Sequence, residues 1–137
     1  MADGPGLALQ KALVATLKAD ATLAALVGAR VYDEPPQPVT RPFVRIGNVD
    51  VRPERAAAVT AWAVTFSVEG HSRPKQGRVE ATRIAEAIVA ALDGQHGSIT
   101  VAGFTFSWCD FAAQTVIRDS DGKSYAANIA FEAMLDV

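Results

Sequence analysis

Between Val59 and Glu69 the chain alternates strictly. Trp62, Val64, Phe66 and Val68 fall on one face, and Ala63, Thr65, Ser67 and Glu69 on the other. A period of two marks a strand, because successive side chains leave a pleated backbone on opposite sides. One apolar face and one mixed face call for a sheet covered on one side and wetter on the other. The pattern returns over Tyr125–Leu135, where Ala127, Ile129, Phe131, Ala133 and Leu135 share a face opposite Asn128, Glu132 and Asp136. Between these stretches, Arg78–Leu92 switches to helical spacing, with Ala81, Ile84, Ala85, Ile88, Val89 and Leu92 on one stripe. An apolar helix stripe and apolar strand faces have to be buried against each other.

The remaining segments add elements around that frame. Leu7, Leu13, Val14 and Leu17 predict a helix over Leu7–Leu17, after a loose leader at 1–6. Asp20 reads as the N-cap of a short helix Ala21–Val27, stopped by Gly28. Arg30–Tyr32 is a brief extended piece. Residues 33–42 contain four prolines and form a surface loop. Phe43–Val51 reads as a strand with Gly47 as a bulge, and 52–58 as a loop or hairpin tip. Residues 70–77 form a polar connection. On the helix that follows, Arg83 is placed to pair with Glu80 and Glu86. Four short strands come last: Ser98–Val101, Phe104–Asp110, Gln114–Arg118 and Tyr125–Leu135, with turns at Ala102-Gly103 and Asp121-Gly122. The order α-α-β-β-β-α-β-β-β-β predicts one α+β domain over 1–137, a mostly antiparallel or mixed sheet with helices packed on one face.

Composition narrows the function classes. The 137 residues are half hydrophobic and one-fifth charged, proportions of a folded chain. A net charge of −2 lacks the basic footprint of a protein built to grip nucleic acid. The single cysteine, Cys109, allows no internal disulfide. Asp3, Lys11 and Lys18 break any signal-peptide pattern at the N-terminus. The longest strongly apolar uncharged run, Ala56–Val68, falls short of the roughly 20 residues that a membrane helix needs. These features predict a soluble protein, intracellular when made.

No catalytic set emerges. His71 and His96 stand 25 residues apart in predicted loops and read as solvated side chains, without the spacing of metal ligands. Cys109 has no histidine near it in sequence and reads as a small filler. No serine sits in a G-x-S-x-G elbow. Asp119-Ser120-Asp121-Gly122 opens like a calcium loop but continues with Lys123 and Ser124, and Ala130 stands where the bidentate glutamate belongs. The expectation is no enzyme, no cofactor and no metal.

Charge is unevenly placed. Residues 41–78 hold seven basic side chains against three acids, whereas 110–137 hold two against five. Opposed charges of this kind suit head-to-tail contact between copies, which closes into a ring when the rotation permits. The candidate interface residues are Arg41, Arg45, Arg52, Glu54, Arg55, Arg73, Lys75 and Arg78.

Three motifs carry a family resemblance. Leu17-Lys18-Ala19-Asp20 stands before the second helix, Gly28-Ala29-Arg30-Val31-Tyr32-Asp33 precedes the proline-rich loop, and Pro42-Phe43-Val44 follows it. Gly70–Arg73, a helix with Glu80 and Ala87, and a closing hairpin with Asp121, Gly122, Tyr125 and Phe131 continue the order. The chain resembles the phage tail-completion, or tail terminator, family. Only segment 52–58 has no counterpart among the family's features.

The resemblance implies a structural virion protein of a phage, prophage or gene transfer agent. It would assemble in the host cytoplasm as a homo-oligomeric ring, usually a hexamer, at the head-proximal end of the tail tube. Its implied partners are its own copies, the major tail tube protein and a head-side connector, with DNA passing through the lumen and no membrane. It would stop tube growth and form the head-docking surface. A neck adaptor of the head–tail connector is the alternative, and a small α+β ligand-binding domain or hydrolase a more distant one. Direct DNA contact by the basic residues of 41–78 predicts binding that weakens steeply with salt.

Overall fold

A computed structural model describes residues 2–55 and 60–137. The helices are α1 (Pro5–Ala19), α2 (Ala21–Val27) and α3 (Gly77–Leu92). The strands are β1 (Val31–Tyr32), β2 (Phe43–Glu54), β3 (Ala61–His71), β4 (Thr105–Arg118) and β5 (Tyr125–Asp136). They form one sheet in the order β1-β2-β3-β5-β4. Among the described residues only the β1–β2 pairing is parallel, so the α+β class with a mixed, mostly antiparallel sheet is what the chain adopts.

All three helices share one core with the sheet. Leu9, Leu13 and Leu17 of α1, Leu23 and Val27 of α2, and Ile84, Ile88 and Leu92 of α3 are fully buried. They meet Val64, Phe66 and Val68 of β3 and Ala127, Ile129, Phe131, Ala133 and Leu135 of β5, the stripes that the alternation predicts. Phe66 and Phe131 are stacked at 5.1 Å in its centre. Burying each ring contributes about 2–3 kcal/mol.

Gly70 marks the close approach of α3 to β3. A Cβ there would lie 2.5 Å from Ile84 Cγ2. Gly47 sits in the predicted bulge, where the β2–β3 register shifts between Ile46 and Val49. Ser67 fills that bulge, its hydroxyl accepting from Asn48 N (3.1 Å) and donating to Asn48 Oδ1 (2.6 Å). Asp20 caps α2 by accepting from Leu23 N at 2.9 Å, and Gly28 follows α2 at φ 62°.

Several expectations need correction. Pro5 and Gly6 are helical, with Pro5 in the first turn, where its missing N–H costs nothing. The polar connection starts later than predicted, because Gly70 and His71 complete β3. Residues 52–54 belong to β2, Arg55 follows irregularly, and 56–58, with the predicted strand start Val59, lie outside the described residues. Ser98–Val101 is not a strand. His96–Ser98 is a 3-10 turn, followed by a lone bridge from Val101 to Phe104. Phe104–Asp110 and Gln114–Arg118 merge into the single strand β4, whose register shifts twice, between Phe106 and Trp108 and between Phe111 and Ala113. Asp93 and Gly94, just past α3, pin the second irregularity: Phe111 N donates to Asp93 Oδ1 (2.9 Å) and Gly94 N to Cys109 O (2.8 Å). Glu80 pairs with Arg73 instead of Arg83.

Candidate functional site

Polar chemistry concentrates at the end of the sheet where β2 begins and β3 ends. Arg41, leaving the proline loop, donates through Nη1 to Asp119 Oδ2 (2.8 Å), Ser124 Oγ (2.9 Å) and, at longer range, Ser72 O (3.4 Å). Its Nη2 lies 3.8 Å from Asp121 Oδ2. His71 meets the same Asp119 oxygen through Nδ1 (2.7 Å) and Glu69 Oε1 through Nε2 (3.0 Å). Phe43 stacks flat on the imidazole at 4.5 Å, and the Arg41 guanidinium lies 5.6 Å from the Phe43 ring centre. Ser72 and Ser124 are fully buried. Ser72 N donates to Tyr125 O, and Tyr125 N donates to Ser72 Oγ, both at 2.9 Å.

This arrangement ties the loop 33–42, the β3–α3 connection and the β4–β5 turn into one clamp. The turn itself is held by Asp121, whose carboxylate accepts from Lys123 N, Ser124 N and Ser124 Oγ, and by Gly122 at φ 72°. Burial pushes the Asp119 carboxyl up, but donation from His71, Arg41 and Ser120 N outweighs it and holds the group at about 2. Donation from the Ser124 hydroxyl, with the Lys123 and Ser124 amides, likewise holds Asp121 below the usual carboxylate range.

The clamp has the ingredients of a hydrolytic triad without its geometry. The Ser124 hydroxyl donates to Asp121 and the Ser72 hydroxyl to Arg73 O, and neither donates to the imidazole. Both ring nitrogens of His71 face carboxylates. His71 is therefore buried and paired, not the solvated loop residue expected. Among the described residues, no group of three or more His, Cys, Asp and Glu side chains is placed to hold a metal ion. Cys109 is fully buried, and burial, helped by the charges of Asp110 and Asp93, pushes its thiol up to about 12. No helix among the described residues is long and apolar enough to cross a membrane.

The candidate interface residues divide by environment. Arg41 is taken up in the clamp. Arg73 is held by Glu80 through Nη2 (2.7 Å) and Nε (3.0 Å). Arg52 lies beside Asp50 at 3.3 Å. Arg45 is half-buried, on the helix-free face opposite Glu69. Glu54, Arg55 and Lys75 are exposed. Arg78 is exposed, over the Tyr125 ring at 4.9 Å, with Arg118 at 5.2 Å from the same ring.

The structure adds a surface that linear charge counting missed. Cross-strand register places Asp50, Thr65, Glu132 and Asp110 in one row on the helix-free face. Glu54, Glu69 and Asp136 share that face, so six acids stand there against Arg45 and Arg52. The basic segment supplies the neighbouring strands β2 and β3 and the acidic segment the neighbouring β5 and β4, and both arginines of this face lie on β2.

The chain is thus a helix-backed sheet with an acidic open face and a loop clamp at one end. The fold matches a chain in the solved structure titled "Virion of native gene transfer agent (GTA) particle", with a TM-score of 0.84 and 27% identity, covering 94% of this chain and 95% of that one. No curated protein sequence matches the chain. The protein falls in the class of phage-tail structural proteins. It belongs to the family described as "Tail completion protein gp17", whose model matches residues 11–136.

Proposed function

We propose that this protein is the ring-forming terminator of a phage-type tail. Copies close head to tail into a ring, with six subunits as the expected number. The ring sits on the head-proximal end of the tail tube, stops its growth and presents the docking surface for a head-side connector. The observation that carries this reading is the nearly end-to-end match to a virion chain together with membership of the tail completion family. It extends to place: the protein works within the phage or gene transfer agent particle.

The geometry supports the reading in two ways. A ring subunit needs two unlike sides. Here the sheet ends in β1 and β2 on one side and in β4 on the other. The helix-free face carries more acids than bases, which suits a channel wall that DNA slides past without being held. Arg55 and Lys75 are proposed to contact partner proteins, and Arg45 and Glu54 to lie on the channel wall.

Electron microscopy of the purified protein, alone and mixed with purified tail tubes, tests the reading. Rings, or caps on tube ends, are the expected result, and gene loss should give tails of abnormal length or unjoined tails. A strict monomer at high concentration that tubes do not recruit would refute it. Heads that fail to close, with normal tails, would favour the neck adaptor.

A further inference from the structure

We infer which two surfaces meet between neighbouring copies. The inference rests on the ring reading and deepens it. The two edges of the sheet carry opposite charge toward the same end of the sheet.

On the β4 edge, Arg118 lies opposite Tyr125 in register, and Arg78 from the first turn of α3 reaches Val116 O (3.3 Å). Both guanidinium groups stack on Tyr125, and Arg118 also donates to its hydroxyl at 3.2 Å. Neither arginine has a carboxylate partner within ion-pair distance among the described residues. Stacking on a half-buried ring fixes their direction, so little side-chain freedom remains to be lost on binding. Val79, beside Arg78, is 62% exposed.

On the opposite edge, β1 pairs with the same end of β2 (Val31 with Val44, Tyr32 with Arg45) and delivers the chain to Asp33 and Glu34. Both are exposed, and neither is in an ion pair among the described residues. Gln10 of α1 donates to Asp33 Oδ1 at 3.2 Å. Beside them, Leu7, Val14 and Ala15 line a largely apolar groove along α1. Lys11 in that groove pairs with Asp3 (2.8 Å), and Lys18 lines its far end, about 12 Å beyond Gln10 along the helix.

The occupant of each edge is therefore the other edge of a second copy. Arg78 and Arg118 of one subunit meet Asp33 and Glu34 of the next, and Val79 enters the α1 groove. Arg78 occupies Val116 O, and β1 already covers β2 at this level. Side chains, not strand addition, carry the contact here.

Charge reversal tests this by native mass spectrometry and sedimentation at low salt, with tail tubes present if the wild type requires them. Arg78→Glu/Arg118→Glu and Asp33→Lys/Glu34→Lys should each raise the half-assembly concentration by about tenfold or more. The quadruple variant should recover assembly. So should an equimolar mixture of the two double variants, which can close only by alternating and hence only in even-numbered rings. Circular dichroism on each variant separates misfolding from lost contact, and Asp33→Asn/Glu34→Gln, on exposed groups, gives a milder version of the same loss. Reversed variants that assemble like wild type, or a folded quadruple variant that stays apart, overturn the edge pairing and leave the ring intact. Wild type that never assembles, even on tubes, overturns both.

Discussion

Arg41 holds three segments far apart in sequence, so Arg41→Met is the most informative single change. The substitution keeps much of the aliphatic stem over Phe43 and removes every donor. Two short bonds are lost. The one to Asp119 is charge-assisted and contributes about 1.5–3 kcal/mol, and the one to the buried Ser124 hydroxyl about 1 kcal/mol. Two features reduce the total. His71 still donates to Asp119, and the Arg41 side chain is 22% exposed, so water can re-solvate part of the site. The net cost should be about 2–3 kcal/mol at pH 7. For a chain of this length that lowers Tm by roughly 7–10 °C, at about 3.5 °C per kcal/mol. Urea and thermal unfolding followed by circular dichroism measure it, and a double-mutant cycle with Asp119→Asn apportions it. A coupling of about 1–2 kcal/mol is expected. A loss below about 0.5 kcal/mol, or a cycle that is additive to within about 0.3 kcal/mol, would refute the clamp as a stabilising unit.

Three further outcomes follow from the same geometry. Because the folded carboxyl of Asp119, at about 2, lies below its unfolded value, the unfolded chain binds the proton more readily. Its stabilisation is therefore complete above about pH 5 and lost as pH falls toward 2. The stability gap between wild type and Asp119→Asn should close over that window, and a gap independent of pH would contradict it. Gly70→Ala drives a methyl group into Ile84 Cγ2 and should cost about 1–3 kcal/mol in urea unfolding, with a smaller increment in an Ile84→Ala background. At pH 8 the Cys109 thiol should react with an aromatic disulfide reagent roughly a thousandfold more slowly in the folded protein than in urea. Equal rates would show that the strand bearing it opens readily.

The fold was legible wherever one periodicity ran unbroken. The faces of β3 and β5 and the stripe of α3 follow directly from residue spacing, and the Asp20 cap and the Gly47 bulge from local chemistry. Prediction failed where the period slipped. Each irregularity in β4 throws the alternation out of phase, so a strand of 14 residues reads as two short ones. The clamp was hidden for another reason. His71 and Asp119 are 48 residues apart, and Arg41 and Ser124 are 83 apart, so no local pattern announces their meeting. His71 also follows Gly70, which reads as the end of a strand, whereas the glycine serves the approach of α3. Among the candidate interface residues, Arg78 is exposed and held over the Tyr125 ring, without a carboxylate partner among the described residues. Its companion Arg118 lies in the acidic segment, where a net charge count conceals it.

The pairing of β3 with β5 has a consequence for biosynthesis. The central seam of the sheet joins residues 61–71 to 125–136, so the two halves cannot zip together in the order in which they leave the ribosome. Until β5 emerges, the inner edge of β3 stands open and Phe66 lacks the ring that stacks on it. A nascent chain in that condition offers an apolar strand edge to any neighbour, including another copy of itself. The chain must cross this interval quickly or under chaperone cover, and translation of β5 is the event that ends it.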